Sequence, residues 1–243
     1  MIDDSKFVVL VTGTINPDLN VSSLVLKDSN ERLQQYKESL LWLLFNSSVK
    51  KIVFCDNSLC PQTEFLDVVN LARKMQKEFE FLSFQGDTKK TVEQGKGYGE
   101  GEIIEYALNK SELLAGVPYF IKITGRLKVD NLSSIIKHIN TYHFYINMFN
   151  KERVDTRIYS ISKELYNKFF LDAYKRVDDE EKYYIEHVFT DIIKSQNIKS
   201  RNFPRVPRYV GISGSTGKKY QYNRLKSVIK DVLCLINYFG LKA

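Results

Sequence analysis

Three apolar runs constrain this chain more than anything else in it. Lys6–Thr12 (K-F-V-V-L-V-T), Lys51–Cys55 (K-I-V-F-C) and Tyr119–Ile123 (Y-F-I-K-I) are unbroken rather than alternating. Runs this short, rich in β-branched and aromatic residues and bounded by turn formers, predict strands of a parallel sheet covered on both faces. Each ends in a polar turn: Gly13-Thr14-Ile15-Asn16-Pro17, Asp56-Asn57-Ser58 and Thr124-Gly125-Arg126. Between the first two lies helical spacing from about Glu31 to Asn46, with Leu33, Tyr36, Leu40, Leu41 and Leu44 on one face and Ser29 or Asn30 as its cap. A second helix is predicted from Gln62 to Phe79 and a short strand from Phe79 to Phe84. Strands alternating with helices predict an α/β fold, a mostly parallel sheet flanked by helices. The carboxyl edge of such a sheet is where ligands bind.

The segment from Gly95 to Arg126 draws most of the functional attention. Gly95–Gly101 reads G-K-G-Y-G-E-G and is predicted as a flexible basic loop opening a helix from Glu102 to about Leu114. Bare backbone amides at a helix start suit anions. The glycine spacing is not that of the dinucleotide-binding fingerprint. Lys122, inside the next strand, is either a snorkelling side chain or one facing the edge.

Further along, a helix over 131–143 and two paired strands over 142–148 and 156–161 are predicted. Two helices follow over 162–174 and 178–195, then a loop or edge strand to Ser215, and a last helix over 223–239. No repeat or linker interrupts the chain, so one domain is expected.

Composition narrows the class. Apolar residues make up 43 % of 243, enough for a core. The formal charge is +7, and from Lys199 onward ten Lys or Arg face one acidic residue, Asp231. That asymmetry points to an anionic partner. Three cysteines in no ligand pattern, no run of about 18 apolar residues and no leader-like start predict a cytoplasmic protein.

In order, the motifs resemble those of GT-A glycosyltransferases. V-T-G-T-I-N follows the first strand, C-D-N-S the second, G-K-G-Y-G-E-G opens a helix, and a later acidic helix carries Glu186-His187. The wording K-G-Y-G-E-G, F-I-K-I-T-G-R, V-D-T-R, I-E-H-V-F and G-I-S-G-S-T-G-K-K-Y is similar to that of small bacterial glycosyltransferases of capsule and O-antigen synthesis, over most of the chain. The resemblance implies a single GT-A-like domain over 1–243, with 1–126 taking a nucleotide-sugar donor and 127–243 the acceptor. It implies sugar transfer from a nucleotide diphospho-sugar, UDP-linked, to a lipid-linked glycan. Thr12, Thr14, Asn16, Asp56 and Asn57 would then hold the nucleoside. Lys96, Gly97, Gly99 and Arg126 would hold the diphosphate, covered by a lid bearing Ser213, Ser215, Thr216, Lys218 and Lys219. Glu186 would face the acceptor as base, with Asp155 as a second carboxylate.

Bland readings stand beside these. Asp56 suits a turn cap, Asp155 a surface pair with Arg157, and Glu186 a solvated helix face. The family's Asp-X-Asp position reads Thr124-Gly125-Arg126 here. Divalent cations want oxygen ligands, so no metal or other cofactor is expected, and fixed cations would stabilise the leaving diphosphate. The last helix, with Arg224, Lys226 and Lys230 beside an apolar stripe, suits either packing on the sheet or peripheral contact with an anionic membrane. A nucleotidyltransferase making an activated sugar is the nearest rival. A basic nucleic-acid-binding protein is the other, although no recognised nucleic-acid motif is present and no specific nucleic acid is expected.

Overall fold

The computed structural model describes residues 6–21, 24–140, 143–150, 152–212, 217, 219–220 and 231–232. The first strand β1 (Phe7–Gly13) leads to α1 (Ser29–Asn46), β2 (Lys51–Asp56), a one-turn helix Gln62–Phe65, α2 (Leu66–Lys74) and β3 (Glu78–Ser83). Next come α3 (Thr88–Gln94), α4 (Lys96–Lys110), α5 (Glu112–Ala115) and β4 (Tyr119–Thr124). After β5 (Lys128–Val129) and α6 (Leu132–His138), the hairpin strands β6 (Phe144–Met148) and β7 (Val154–Ser162) precede α7 (Lys163–Phe169). A short turn of helix, Ala173–Arg176, then α8 (Ile185–Ser195), β8 (Ser200–Arg201), β9 (Tyr209–Ile212) and β10 (Lys219–Tyr220) complete the described elements.

Seven strands form one sheet in the order β3-β2-β1-β4-β7-β6-β8. β3, β2, β1 and β4 pair in parallel, and β7 is antiparallel to both its neighbours. The sheet is thus mostly parallel and flanked by helices, the α/β class expected. Both faces are covered, which is why the strand sequences do not alternate. In β1, Val8 and Leu10 pack with Ile104 and Ala107 of α4 and Val188 of α8. Phe7, Val9 and Val11 pack on the opposite face with Leu40 and Leu44 of α1 and Ile135 of α6. The helix α1 starts at Ser29 and is capped by Asp28, whose carboxylate accepts from the Glu31 N–H at 2.7 Å.

Two local readings are corrected. The glycine-rich segment is no loop: Lys96–Lys110 is helical throughout, and the unforeseen α3 precedes it. The glycines are there because neighbours occupy the space of a side chain. A Cβ on Gly101 would lie 2.0 Å from Tyr174 Cβ, and one on Gly97 2.9 Å from Ile185 Cβ. Gly101→Ala, normally favourable within a helix, is therefore expected to destabilise the protein by about 1–3 kcal/mol through overpacking; a urea titration showing no loss would contradict this. The acidic run Asp178–Glu181 is not helical either. It forms a turn in which Asp178 Oδ1 accepts from the Glu180 and Glu181 N–H groups at 3.1 and 3.0 Å, and α8 begins only at Ile185.

The last predicted helix lies outside the described residues except at 231–232, which are helical. Asp231 is buried there, paired with Arg208 at 3.2 Å and Arg205 at 3.6 Å, so this point of the chain is anchored to the domain. No helix among the described residues is long and apolar enough to cross a membrane.

Candidate functional site

The carboxyl ends of β1, β2 and β4 open onto a cleft of about 770 Å³, closed on the far side by the start of α8 and the β6–β7 turn. Thr12, Thr14, Asn16, Asn57, Lys96, Gly97, Gly99, Arg126, Asp155 and Glu186 all line it. Residues separated in sequence by up to 174 positions thus share one cavity, because parallel strands deliver all their following loops to the same edge.

Three cations converge on one side of the cleft. Arg32 and Arg126 each lie 6.0 Å from the Tyr36 ring centroid, so one aromatic side chain positions both. The Arg32 guanidinium is only 4 % exposed and donates to carbonyl oxygens, from Nε to Thr14 at 2.8 Å and from Nη1 to Leu26 at 3.1 Å. Those carbonyls orient the group but leave its charge in place. Arg126 Nη1 donates to Gln35 Oε1 at 3.1 Å. Burial lowers the Lys96 pKa to about 8; Asp179 pulls it up, while Arg32 and Arg126 push it further down. Like charges brought this close raise each other's free energy, and an anion between them relieves it.

The floor is a connected polar network. Lys122 is completely buried and donates to Glu100 Oε1, to Thr124 Oγ1 at 3.0 Å and to the Thr156 carbonyl at 2.8 Å. Thr12 and Thr124 also donate to Glu100 Oε1, each at 3.2 Å. Thr156 Oγ1 in turn donates to Glu186 Oε1 at 3.3 Å. Burial raises the Glu186 pKa, reinforced by the Glu100 charge and opposed by its own backbone N–H, Arg153 and Lys122. His187 serves the helix start: its Nδ1 accepts from the Tyr184 N–H at 3.1 Å.

Not every expected residue arrives. Asp56 is fully buried and does not line the cleft. Its carboxylate accepts from the Ile15, Ser58 and Cys60 N–H groups and from the Ser58 and Ser83 hydroxyls. It shapes the loop after β1 rather than reaching a ligand, and so corrects the nucleoside-binding expectation. Asp155 reaches the cleft but is held bidentately by Arg157, at 2.8 and 2.6 Å, and by the Tyr209 hydroxyl at 3.0 Å. Lys219 is exposed on β10 and is not part of the lining. Ser213, Ser215, Thr216 and Lys218 lie outside the described residues.

Sequence reading missed Arg32 and the Glu100–Lys122 pair. Arg32 had a signal, since it stands four residues before Tyr36 on the same helical stripe. Glu100 had none, because its partners come from β1 and β4.

Among the described residues no three His, Cys, Asp or Glu side chains gather as ligands. Glu100 and Asp155 are engaged by Lys122 and Arg157.

Fold and cleft define an α/β protein with a charged pocket at the carboxyl edge of its parallel strands, three of its cations grouped on one side. No protein-family model matches the chain, and no curated protein does. Similar solved structures include a protein assigned as a nucleotide-diphospho-sugar transferase from Desulfovibrio desulfuricans, at 11 % identity over 80 % of this chain and 78 % of that one, TM-score 0.46. A cytidylyltransferase from Leptospira borgpetersenii shares 12 % identity over 98 % and 99 % of the two chains, TM-score 0.44. A glycosyltransferase involved in glycosylation of the major capsid of PBCV-1 shares 9 % identity over 83 % and 84 %, TM-score 0.44. At this level of likeness none of them carries an argument, and the chemistry rests on the cleft.

Proposed function

We propose that this chain is a glycosyltransferase moving a sugar from a nucleotide diphospho-sugar, UDP-linked, to a hydroxyl of a lipid-linked glycan, without a divalent metal. The observation that carries this reading is the convergence of Arg32, Lys96 and Arg126 on one cleft that also holds the buried Glu186. The nucleoside lies against Thr14, Asn16 and Asn57. The diphosphate sits among the three cations, which neutralise the charge that grows as the anomeric C–O bond breaks. An acceptor oxygen attacks the anomeric carbon, its proton passes to the Glu186 carboxylate, and the nucleoside diphosphate leaves.

A thermal-shift panel of UDP-, GDP-, CMP- and dTDP-sugars with and without EDTA tests the reading. A ligand at about a hundred times its Kd adds about 2.7 kcal/mol of stability, a shift of several degrees. One nucleotide class should give it, with EDTA making no difference; a panel with no shift overturns the proposal. Pyrophosphate release from a nucleoside triphosphate would replace sugar transfer with nucleotidyl transfer. Arg126→Ala should cut turnover more than about tenfold with the fold intact. Lys96 keeps its charge only below about pH 8. Nucleotide affinity should therefore fall between about pH 7 and pH 9, and Lys96→Arg should flatten that profile.

A further inference from the structure

We infer that the wall formed by Phe149, Arg153 and Tyr184 is an acceptor subsite for an anionic saccharide, a sugar ring bearing a carboxylate or phosphate. This rests on the proposed sugar transfer and adds to it the chemical class of the acceptor.

Two arginines stand on this wall, and they are not equivalent. Arg157 is neutralised by its two contacts with Asp155 and lies 4.1 Å from the Tyr209 ring centroid. Arg153 makes no ion pair within 4 Å among the described residues; the carboxylate it acts on through space is Glu186. Its guanidinium is instead held between two rings, 4.9 Å from the Phe149 centroid and 5.4 Å from that of Tyr184. Its backbone is fixed as well: the Arg153 carbonyl accepts from the Phe149 N–H at 2.9 Å, and its N–H donates to Asn150 Oδ1 at 3.0 Å. All three wall residues line the cleft. An arginine held by aromatic faces and not locked in a short ion pair keeps its donors for an incoming anion.

Phe149 supplies the rest. Its side chain is 52 % exposed, an aromatic face beside the guanidinium. A pyranose presents a face of C–H groups that packs on such a ring, which leaves an acidic substituent at the ring edge to reach Arg153. Position assigns this wall to the acceptor. Tyr184 caps α8 two residues before Glu186, and both line the cleft beside Arg153; the Arg153 charge also acts on Glu186. Arg153 thus belongs with the residue that takes the acceptor proton, not with the diphosphate cluster.

The test titrates the full chain with methyl β-glucuronide, glucose 6-phosphate and methyl β-glucoside by saturation-transfer NMR, with and without UDP. At least one acidic probe should bind about tenfold tighter than the neutral one, and which one prefers the site tells carboxylate from phosphate. Arg153→Gln should bring the acidic probes down to the neutral level, Arg153→Lys should keep part of the preference, and Phe149→Ala should weaken all three. The UDP thermal shift should survive in every variant, which also reports that they fold. Equal binding of the three probes, no binding of any, or a preference that persists in Arg153→Gln overturns the inference. Loss of the UDP shift in the wild type would strike the proposed transfer instead, and the two failures are read separately.

Discussion

Glu186→Gln is expected to bind nucleotide like the wild type and to transfer sugar about 10²–10⁴-fold more slowly, the span that a positioned general base supplies. Burial raises the Glu186 pKa first, and the nearby Glu100 charge adds to it. The carboxyl therefore ionises at a higher pH than an ordinary glutamate, and turnover in the wild type should climb through that shifted value. In the Gln variant that limb should vanish. Stability should move the other way. A folded-state pKa above the unfolded one means the native protein binds more protons between the two values. The contribution is fully present below the unfolded pKa and is lost as pH rises through the folded one. Above the folded-state pKa the ionised Glu186 is thus a cost, and there Gln should raise the melting temperature slightly. A slower but more stable enzyme marks a functional carboxylate; a variant at near wild-type rate would remove Glu186 from the mechanism.

The second large effect concerns stability. Breaking a buried ion pair by deleting one partner costs about 3–5 kcal/mol, and Glu100–Lys122 should show this asymmetrically. Lys122 is 0 % exposed, so Glu100→Ala leaves a buried ammonium hydrogen-bonded to the Thr124 hydroxyl and the Thr156 carbonyl but with no carboxylate in an ion pair. Lys122→Met leaves a carboxylate that lines the cleft and can hydrate. Glu100→Ala should therefore be the worse of the two, toward the upper end of that range, lowering Tm by about 10–20 °C for a chain of this size. The double variant Lys122→Met with Glu100→Leu should recover part of the loss. Equal, small shifts in both single variants would show that water reaches the pair and that it holds nothing together.

Much of the frame was legible beforehand. The strands from Lys6, Lys51 and Tyr119 were read from unbroken apolar runs, and their covered faces explain why that signal was clear. Their polar ends brought Thr14, Asn57 and Arg126 to one edge. The glycine-rich start of α4 was misread because glycine disfavours helices in isolation. In the fold, the Tyr174 and Ile185 side chains fill the space that larger residues would need. Asp56 was misread because its neighbourhood resembles a ligand loop, while its carboxylate is consumed by five donors from that loop, the loop after β1 and the strand β3.

The chain's local order of apolar and polar residues determined the strands, most helices and the edge at which their turns collect, since burial period and turn chemistry are written within a few residues of each other. Which charges meet was decided only in three dimensions. Glu100 reaches Thr12 across 88 positions and Lys122 across 22, and Arg126 reaches Gln35 across 91. Coulomb energy and desolvation depend on those through-space distances and on what surrounds them, and neither is a property of neighbours along the chain.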